Sequence, residues 1–184
     1  EFVSSYPAEA LPILCRVIHT TADFSYRDTL TITDGAIEKA KEAIRRGLPI
    51  ITDTTMAASG INKTAAGKFG IEVHCFIGDE DVKAKAKESG MTRSAVSVEK
   101  AAGCYPECIY AVGNAPTALM RLYELIEEKK IRPALIIGVP VGFVNVVEAK
   151  ELILTAGVPV IVARGRKGGS NVAAAICNAL IYQL

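Results

Sequence analysis

Three scarcities set the first limits on the 184-residue chain: net charge, long apolar runs and paired cysteines. Lys and Arg number 21 against 20 Asp and Glu, a net charge of +1, and both signs are spread along the chain. That leaves no electrostatic footprint for a nucleic acid or an anionic membrane. The longest apolar runs are strand-sized and end at Gly, Pro or charge, far short of the roughly 20 residues that span a bilayer. No stretch reads as a targeting segment, so a soluble cytoplasmic protein is expected. The five cysteines, at 15, 75, 104, 108 and 177, form no even disulfide framework, and several fall in apolar periodic segments where free thiols pack. Cys104 and Cys108 have three residues between them and neither a second pair nor a histidine nearby, so no protein-bound metal is expected.

Catalytic signatures are also thin. No GxGxxG follows the first strand and no GxxxxGK[ST] occurs, which argues against a nucleotide enzyme. Ser59, Ser94 and Ser97 fall in helical patterns without a recognisable base, and no nucleophile elbow appears, which disfavours hydrolysis. Internal repeats and low-complexity tracts are missing.

What is present is hydrophobic and alternating. Half the residues are hydrophobic, enough for one sizeable core and a single domain over 1–184. Five buried-strand candidates run from Pro49 to Asp53, Ile71 to Ile77, Cys108 to Val112, Ala134 to Val139 and Val158 to Ala163. Helical patterns cover Asp34 to Arg45, Asp79 to Ser89, Thr92 to Ala102, Pro116 to Lys129, Val146 to Ala156 and Ser170 to Tyr182. Apolar strands alternating with helices give an α/β fold with a mainly parallel sheet covered on both faces. The segment around Tyr26 to Thr31 reads as a loop. In such sheets ligands bind beyond the carboxyl ends of the strands, which selects the loops at 53–56, 113–116, 138–145 and 164–171.

The richest concentration of proton-transfer chemistry is the run Arg16 to Asp23, with one of only two histidines, His19, beside Thr20 and Thr21. An unperturbed histidine titrates near neutral pH, so a small change in surroundings makes it an acid or a base in the cell. Leu11, Leu14, Cys15 and Ile18 recur at i, i+3, i+4 and i+7, which predicts an apolar stripe facing the core. Arg16, Thr20 and Asp23 then gather opposite, with His19 on the flank, free to reach a cleft. The alternative is a histidine hydrogen-bonded at a helix end. His74, inside a strand pattern, reads as structural.

Arg164 to Asn171 puts cations and glycines just before a helix start, where unpaired N–H groups attract carboxylates or phosphates. The competing reading is a tight turn with a Ser cap. Asn114 either contributes to a site or caps the helix that Pro116 begins. Gly138 to Phe143 is rigid and almost wholly apolar, suited to a flat greasy ligand surface or to close-packed turns. Arg93, near a helix start, either grips a ligand carboxylate or is solvated.

Several separated blocks, in one order across most of the chain, resemble the precorrin-8X methylmutase family: Val17 to Asp23 (VIHTTAD), Asp53 to Ile61 (DTTMAASGI), Gly113 to Leu119 (GNAPTAL), Pro133 to Val144 (PALIIGVPVGFV) and Gly165 to Ser170 (GRKGGS). The resemblance implies a three-layer α/β/α domain with a five-stranded parallel sheet, forming a homodimer with active sites near the subunit interface. It implies an isomerase that moves a methyl group from carbon-11 to carbon-12 of a reduced tetrapyrrole, precorrin-8X or cobalt-precorrin-8, to give hydrogenobyrinate or cobyrinate, with no cofactor. His19 is then the catalytic residue, protonating or hydrogen-bonding a ring nitrogen, with Thr20, Thr21 and Asp23 orienting it. Arg93 and the loop Arg166, Gly168, Gly169 and Ser170 receive the carboxylate arms. Val139, Pro140 and Gly142 lie under the macrocycle, and Arg16, Asp53, Thr54, Met56 and Asn114 complete the substrate-binding set.

Two departures stand out. The family usually has a longer N-terminal segment, whereas this sequence opens at Glu1 and Phe2. After Phe143 the family commonly has small residues and a Ser before the lysine, where this chain reads Val144, Asn145, Val146, Val147, Glu148, Ala149, Lys150. A corrinoid carrier without turnover, or a nucleotide-binding α/β enzyme using Gly165 to Ser170, are the competing functions.

Overall fold

A computed structural model describes residues 6–184; the opening at Glu1 and Phe2 lies outside them. The sheet contains five parallel strands, β2 (Ile50–Thr52), β3 (Val73–His74), β4 (Ile109–Val112), β5 (Leu135–Gly138) and β6 (Val160–Ala163), and an antiparallel strand β1 (Leu30–Ile32) on the edge of β6. Their order is β1-β6-β5-β4-β2-β3. Every residue of β4, β5 and β6 is buried, as a parallel sheet covered on both faces requires. Side chains alternate between the two cores: Ile109, Ala111, Leu135, Ile137 and Ile161 face one, while Tyr110, Val112, Ile136, Val160 and Val162 face the other.

The first layer is α1 (Leu11–Thr21), α3 (Ala36–Arg45), α4 (Thr55–Gly60), α5 (Lys63–Gly67) and α10 (Ser170–Ile181). The second is α7 (Arg93–Cys104), α8 (Pro116–Glu127) and α9 (Val146–Leu154), with α6 (Glu80–Ser89) packed on α7. The short α2 (Tyr26–Thr29) leads into β1. Helix α10 is the hub of the first layer: α1 flanks it, and α4 approaches so closely that a Cβ on Gly60 would lie 2.8 Å from the Ala174 Cβ.

The α/β class and the mainly parallel sheet follow the sequence expectation, and the long helices agree to within one or two residues at their ends. The differences have local causes. The sheet has six strands, because Leu30 to Ile32, expected as loop, pairs with β6 and is pinned by Thr33, whose N–H donates to the Val160 carbonyl (3.0 Å) and whose Oγ1 accepts from the Val160 N–H (2.9 Å). Only Val73 and His74 of the expected 71–77 strand pair, since β3 is an edge with β2 as its single neighbour. Helices α4 and α5 went unread although each carries its own start signal, Thr54 accepting from the Ala57 N–H (3.1 Å) and Asn62 from the Ala65 N–H (3.0 Å).

The buried stripe of α1 is Ala10, Ile13, Leu14 and Val17, and Cys15 is exposed, which corrects the expected Leu11-Leu14-Cys15-Ile18 face. Both sets obey the i, i+3, i+4, i+7 rule in a helix apolar on most sides. The packing partner α10 selects between them, and periodicity alone carries no such information.

Candidate active site

The parallel strands end together at one face, and there the chain passes from β2 to β3 on one side and to β4 on the other. The reversal between β2 and β4 opens the crevice where ligands bind in open α/β sheets. Asp53, one residue beyond β2, fills its base. The N–H of Gly113 donates to Oδ1, and those of Asn114 and Ala115 donate to Oδ2, each at 2.8 Å. Burial pushes the Asp53 carboxyl above its ordinary range while these N–H groups pull it down. Asp53, expected among the substrate contacts, is instead a clamp joining two strand-end loops, with both oxygens occupied and 5% of its surface exposed.

Neighbouring loops interlock in the same way. Thr54 Oγ1 lies 2.7 Å from Ser170 Oγ, tying the start of α4 to the start of α10. A Cβ on Gly113 would sit 2.6 Å from the Ser170 Cα, and one on Gly168 would sit 2.1 Å from the Val139 carbonyl oxygen. Only glycine fits at such contacts. The Gly169 N–H donates to the same Val139 carbonyl at 2.9 Å, and the Gly142 N–H donates to the Arg166 carbonyl at 3.2 Å. Gly113 and Gly168 thus serve close packing between the loops at 113–116, 139–144 and 164–170. Val139 and Pro140, expected under a ligand, are buried, because the end of β5 is sealed by this packing.

The apolar surface comes from their neighbours. Val141, Phe143 and Val144 are 47%, 86% and 75% exposed, and Met56, in the first turn of α4, is 69% exposed. The Arg166 guanidinium lies 6.0 Å from the centre of the Phe143 ring, so a cation borders the apolar strip. Asn114 is exposed at the same strand-end face.

His19 is exposed in the last turn of α1. The end of that helix is tied to the 164–170 loop through Lys167, whose Nζ donates to Asp23 Oδ2 at 2.6 Å and to Ser25 Oγ at 3.0 Å. The Lys167 hydrogen bond brings the Asp23 carboxyl down to about 2. Thr21 Oγ1 donates to the Val17 carbonyl (2.8 Å) and accepts from the Asp23 N–H (3.3 Å). These bonds shape the turn after α1; none reaches the His19 ring, so Thr21 and Asp23 place the helix end and do not orient the imidazole. Thr20 is exposed beside it.

Two expected members stand apart. Arg16 lies 4.9 Å over the ring of Tyr182, just beyond the far end of α10. Arg93 shares the strand-end face but belongs to the other helix layer, where Thr92 Oγ1 meets Thr117 Oγ1 at 2.9 Å beside the start of α8. His74 stacks against Phe76 and Tyr105, with Nε2 at 3.0 Å from Glu72 and 3.1 Å from the Tyr105 hydroxyl, in keeping with a structural role. A cavity of about 820 Å³ opens at the opposite, amino-terminal end of the strands, lined by Lys39, Arg46, Glu107, Lys129 and Arg132 among others; Arg46 and Glu107 pair within that lining.

Sequence reasoning passed over Lys150. It sits on the buried face of α9 with Val146, Ala149 and Ile153, is fully buried, and donates from Nζ to the carbonyls of Gly165 and Lys167, both at 2.8 Å. The available signal was a lysine in phase with an apolar stripe. Among the described residues no three His, Cys, Asp or Glu side chains gather as a metal site, and no helix is long and apolar enough to cross a membrane.

A family model described as Precorrin-8X methylmutase matches residues 2–183. The cobalt-precorrin-8 methylmutase of Salmonella typhimurium is 47% identical over 173 residues, covering 94% of this chain and 80% of the relative. That of Leptospira interrogans is 42% identical over 185 residues, covering 96% and 84%. A solved precorrin-8X methyl mutase from Thermus thermophilus superposes with a TM-score of 0.90 at 39% identity, covering 97% of this chain and 87% of that one.

Proposed function

Because the chain belongs to the precorrin-8X methylmutase family, we propose that its strand-end face binds precorrin-8X or cobalt-precorrin-8 and that His19 is the catalytic acid. The protein is an isomerase of cobalamin biosynthesis. The methyl carbon leaves carbon-11 and bonds carbon-12 of the same molecule, so product and substrate share one formula. His19 donates a hydrogen bond or proton to a ring nitrogen while the bonding electrons shift, and recovers it afterwards. The cobalt, where present, belongs to the substrate.

The observation that carries this reading is the pairing of an exposed apolar strip, Val141, Phe143 and Val144, with the Arg166 cation beside it. A macrocycle with acetate and propionate arms needs an apolar floor and cations at its rim, and this face supplies both. Catalysis then comes chiefly from holding the ring in one reactive conformation and stabilising charge that develops on it. Met56, Asn114 and Arg93 extend the binding face. The chain acts as one domain, as a homodimer with its sites near the subunit interface, and in the cytoplasm. Five free cysteines, two of them exposed, support a reducing compartment.

Turnover decides the matter. Precorrin-8X and its cobalt form are supplied separately and followed by their visible spectra. Conversion by the wild type with at least a hundredfold loss in His19→Ala is expected, the scale of general acid catalysis. Equal conversion by His19→Ala refutes the role of His19. Tight product binding with an unchanged substrate spectrum identifies a carrier.

A further inference from the structure

Lys150 takes no part in the chemistry above, yet it is a fully buried amine with no carboxylate partner among the described residues. Burial lowers its ammonium to about 8. A buried charge without a counter-ion is costly, so its retention within an apolar stripe calls for a reason. Its two hydrogen bonds supply one.

The acceptors of Lys150 are the carbonyls of Gly165 and Lys167, on either side of Arg166. In a trans peptide the C=O and the following N–H point in opposite directions. Drawing the Gly165 and Lys167 carbonyls inward onto Nζ therefore turns the N–H groups of Arg166 and Gly168 away from the buried amine. Neither N–H donates to a protein acceptor among the described residues. The carbonyl of Arg166 is taken by the Gly142 N–H, which locks the peptide between them against the neighbouring loop. The result is two backbone donors held beside the Arg166 side chain, at the rim of the apolar strip. Backbone N–H groups turned to one side of a turn make an anion-binding concavity.

We propose that Lys150 is a positioning residue: by holding the Gly165 and Lys167 carbonyls it presents the Arg166 and Gly168 N–H groups to one carboxylate arm of the corrinoid. The inference rests on the reading that this face binds the macrocycle, and it adds the group that sets the arm's docking point. Lys150 touches no substrate atom. Its contribution appears in recognition of the carboxylate.

Two measurements test this. In Lys150→Met the chain keeps its length and loses its donors, so KM for precorrin-8X should rise at least tenfold while kcat stays within about twofold. Lys150→Gln, which retains two N–H donors, should recover part of that loss. A role confined to stability would lower the melting temperature and leave KM in place. Independently of any variant, titrating hydrogenobyrinate into the isotope-labelled wild-type protein should move the amide proton resonances of Arg166 and Gly168 downfield as acceptor bonds form. A KM within twofold of wild type in a folded Lys150→Met protein overturns the proposal. So do unmoved Arg166 and Gly168 resonances at saturation, a result that also decides the case if the variant does not fold. Absence of wild-type turnover refutes the function proposed above, while the resonance shifts still report on the arm.

Discussion

Removing the Asp53 carboxylate tests how the crevice is held together. In Asp53→Ala the N–H groups of Gly113 and Ala115, both in buried bonds, lose their acceptor, and that of Asn114 loses a partly buried one. A buried donor left unsatisfied costs about 1–3 kcal/mol, so the two buried bonds alone amount to about 2–6 kcal/mol. Relief from burying a carboxylate, the cost visible in its raised pKa, offsets part of that. A net loss of about 2–5 kcal/mol is expected, a large fraction of the roughly 5–15 kcal/mol that holds a typical domain. Asp53→Asn keeps one acceptor oxygen, which serves either Gly113 or the Asn114 and Ala115 pair, and sets an NH₂ group against the remaining donor. Its loss should fall at about half the alanine value. Urea unfolding of the three proteins reads this directly through the midpoint at constant slope. Because the clamp sets the spacing of the β2 and β4 loops, kcat/KM should fall in the same order. An alanine variant within about 0.5 kcal/mol of wild type, or an asparagine variant worse than alanine, refutes the argument.

Two further outcomes are expected. Asp23, held by Lys167, has its carboxyl lowered to about 2, so its contribution to stability is present above its unfolded pKa near 4 and is lost as pH falls toward 2; a side-chain carboxyl titration by NMR with a midpoint near 4 contradicts the clasp. Phe143 is 86% exposed, so Phe143→Ser should change unfolding free energy by no more than about 0.5 kcal/mol while weakening hydrogenobyrinate binding about tenfold, measured by calorimetry; unchanged binding removes Phe143 from the ligand surface.

Much of the fold was legible because its signals are local. Buried β-branched runs marked β4, β5 and β6, and Gly or basic residues marked helix ends. The edge strand β1 was not legible: it depends on Thr33 meeting Val160, a partner 127 residues away, and nothing near Leu30 announces it. At the strand-end face, the sequence pointed to the loops but not to which residue in each faces outward. Val139 and Pro140 are sealed under the loop packing that leaves Val141, Phe143 and Val144 exposed. The clamp made by Asp53 was not legible, because the backbone donors that occupy it come from a loop 60 residues away. Lys150 was hidden for the opposite reason, a charged residue in an apolar phase whose partners are carbonyls.

The contact between the first and last helices of the described chain bears on the order in which the molecule is assembled. Helix α10 is flanked by α1 and α4, and β1 cannot pair until β6 exists. During synthesis, the faces of α1 and α4 that pack on α10, and the edge of β1, therefore stay uncovered until residues 160–181 follow. Such distant pairings close late and slow folding, and the waiting segment offers a surface on which nascent chains aggregate. The layer that carries His19 is completed only when α10 docks against α1, so the placement of that side chain waits on the last helix of the described chain.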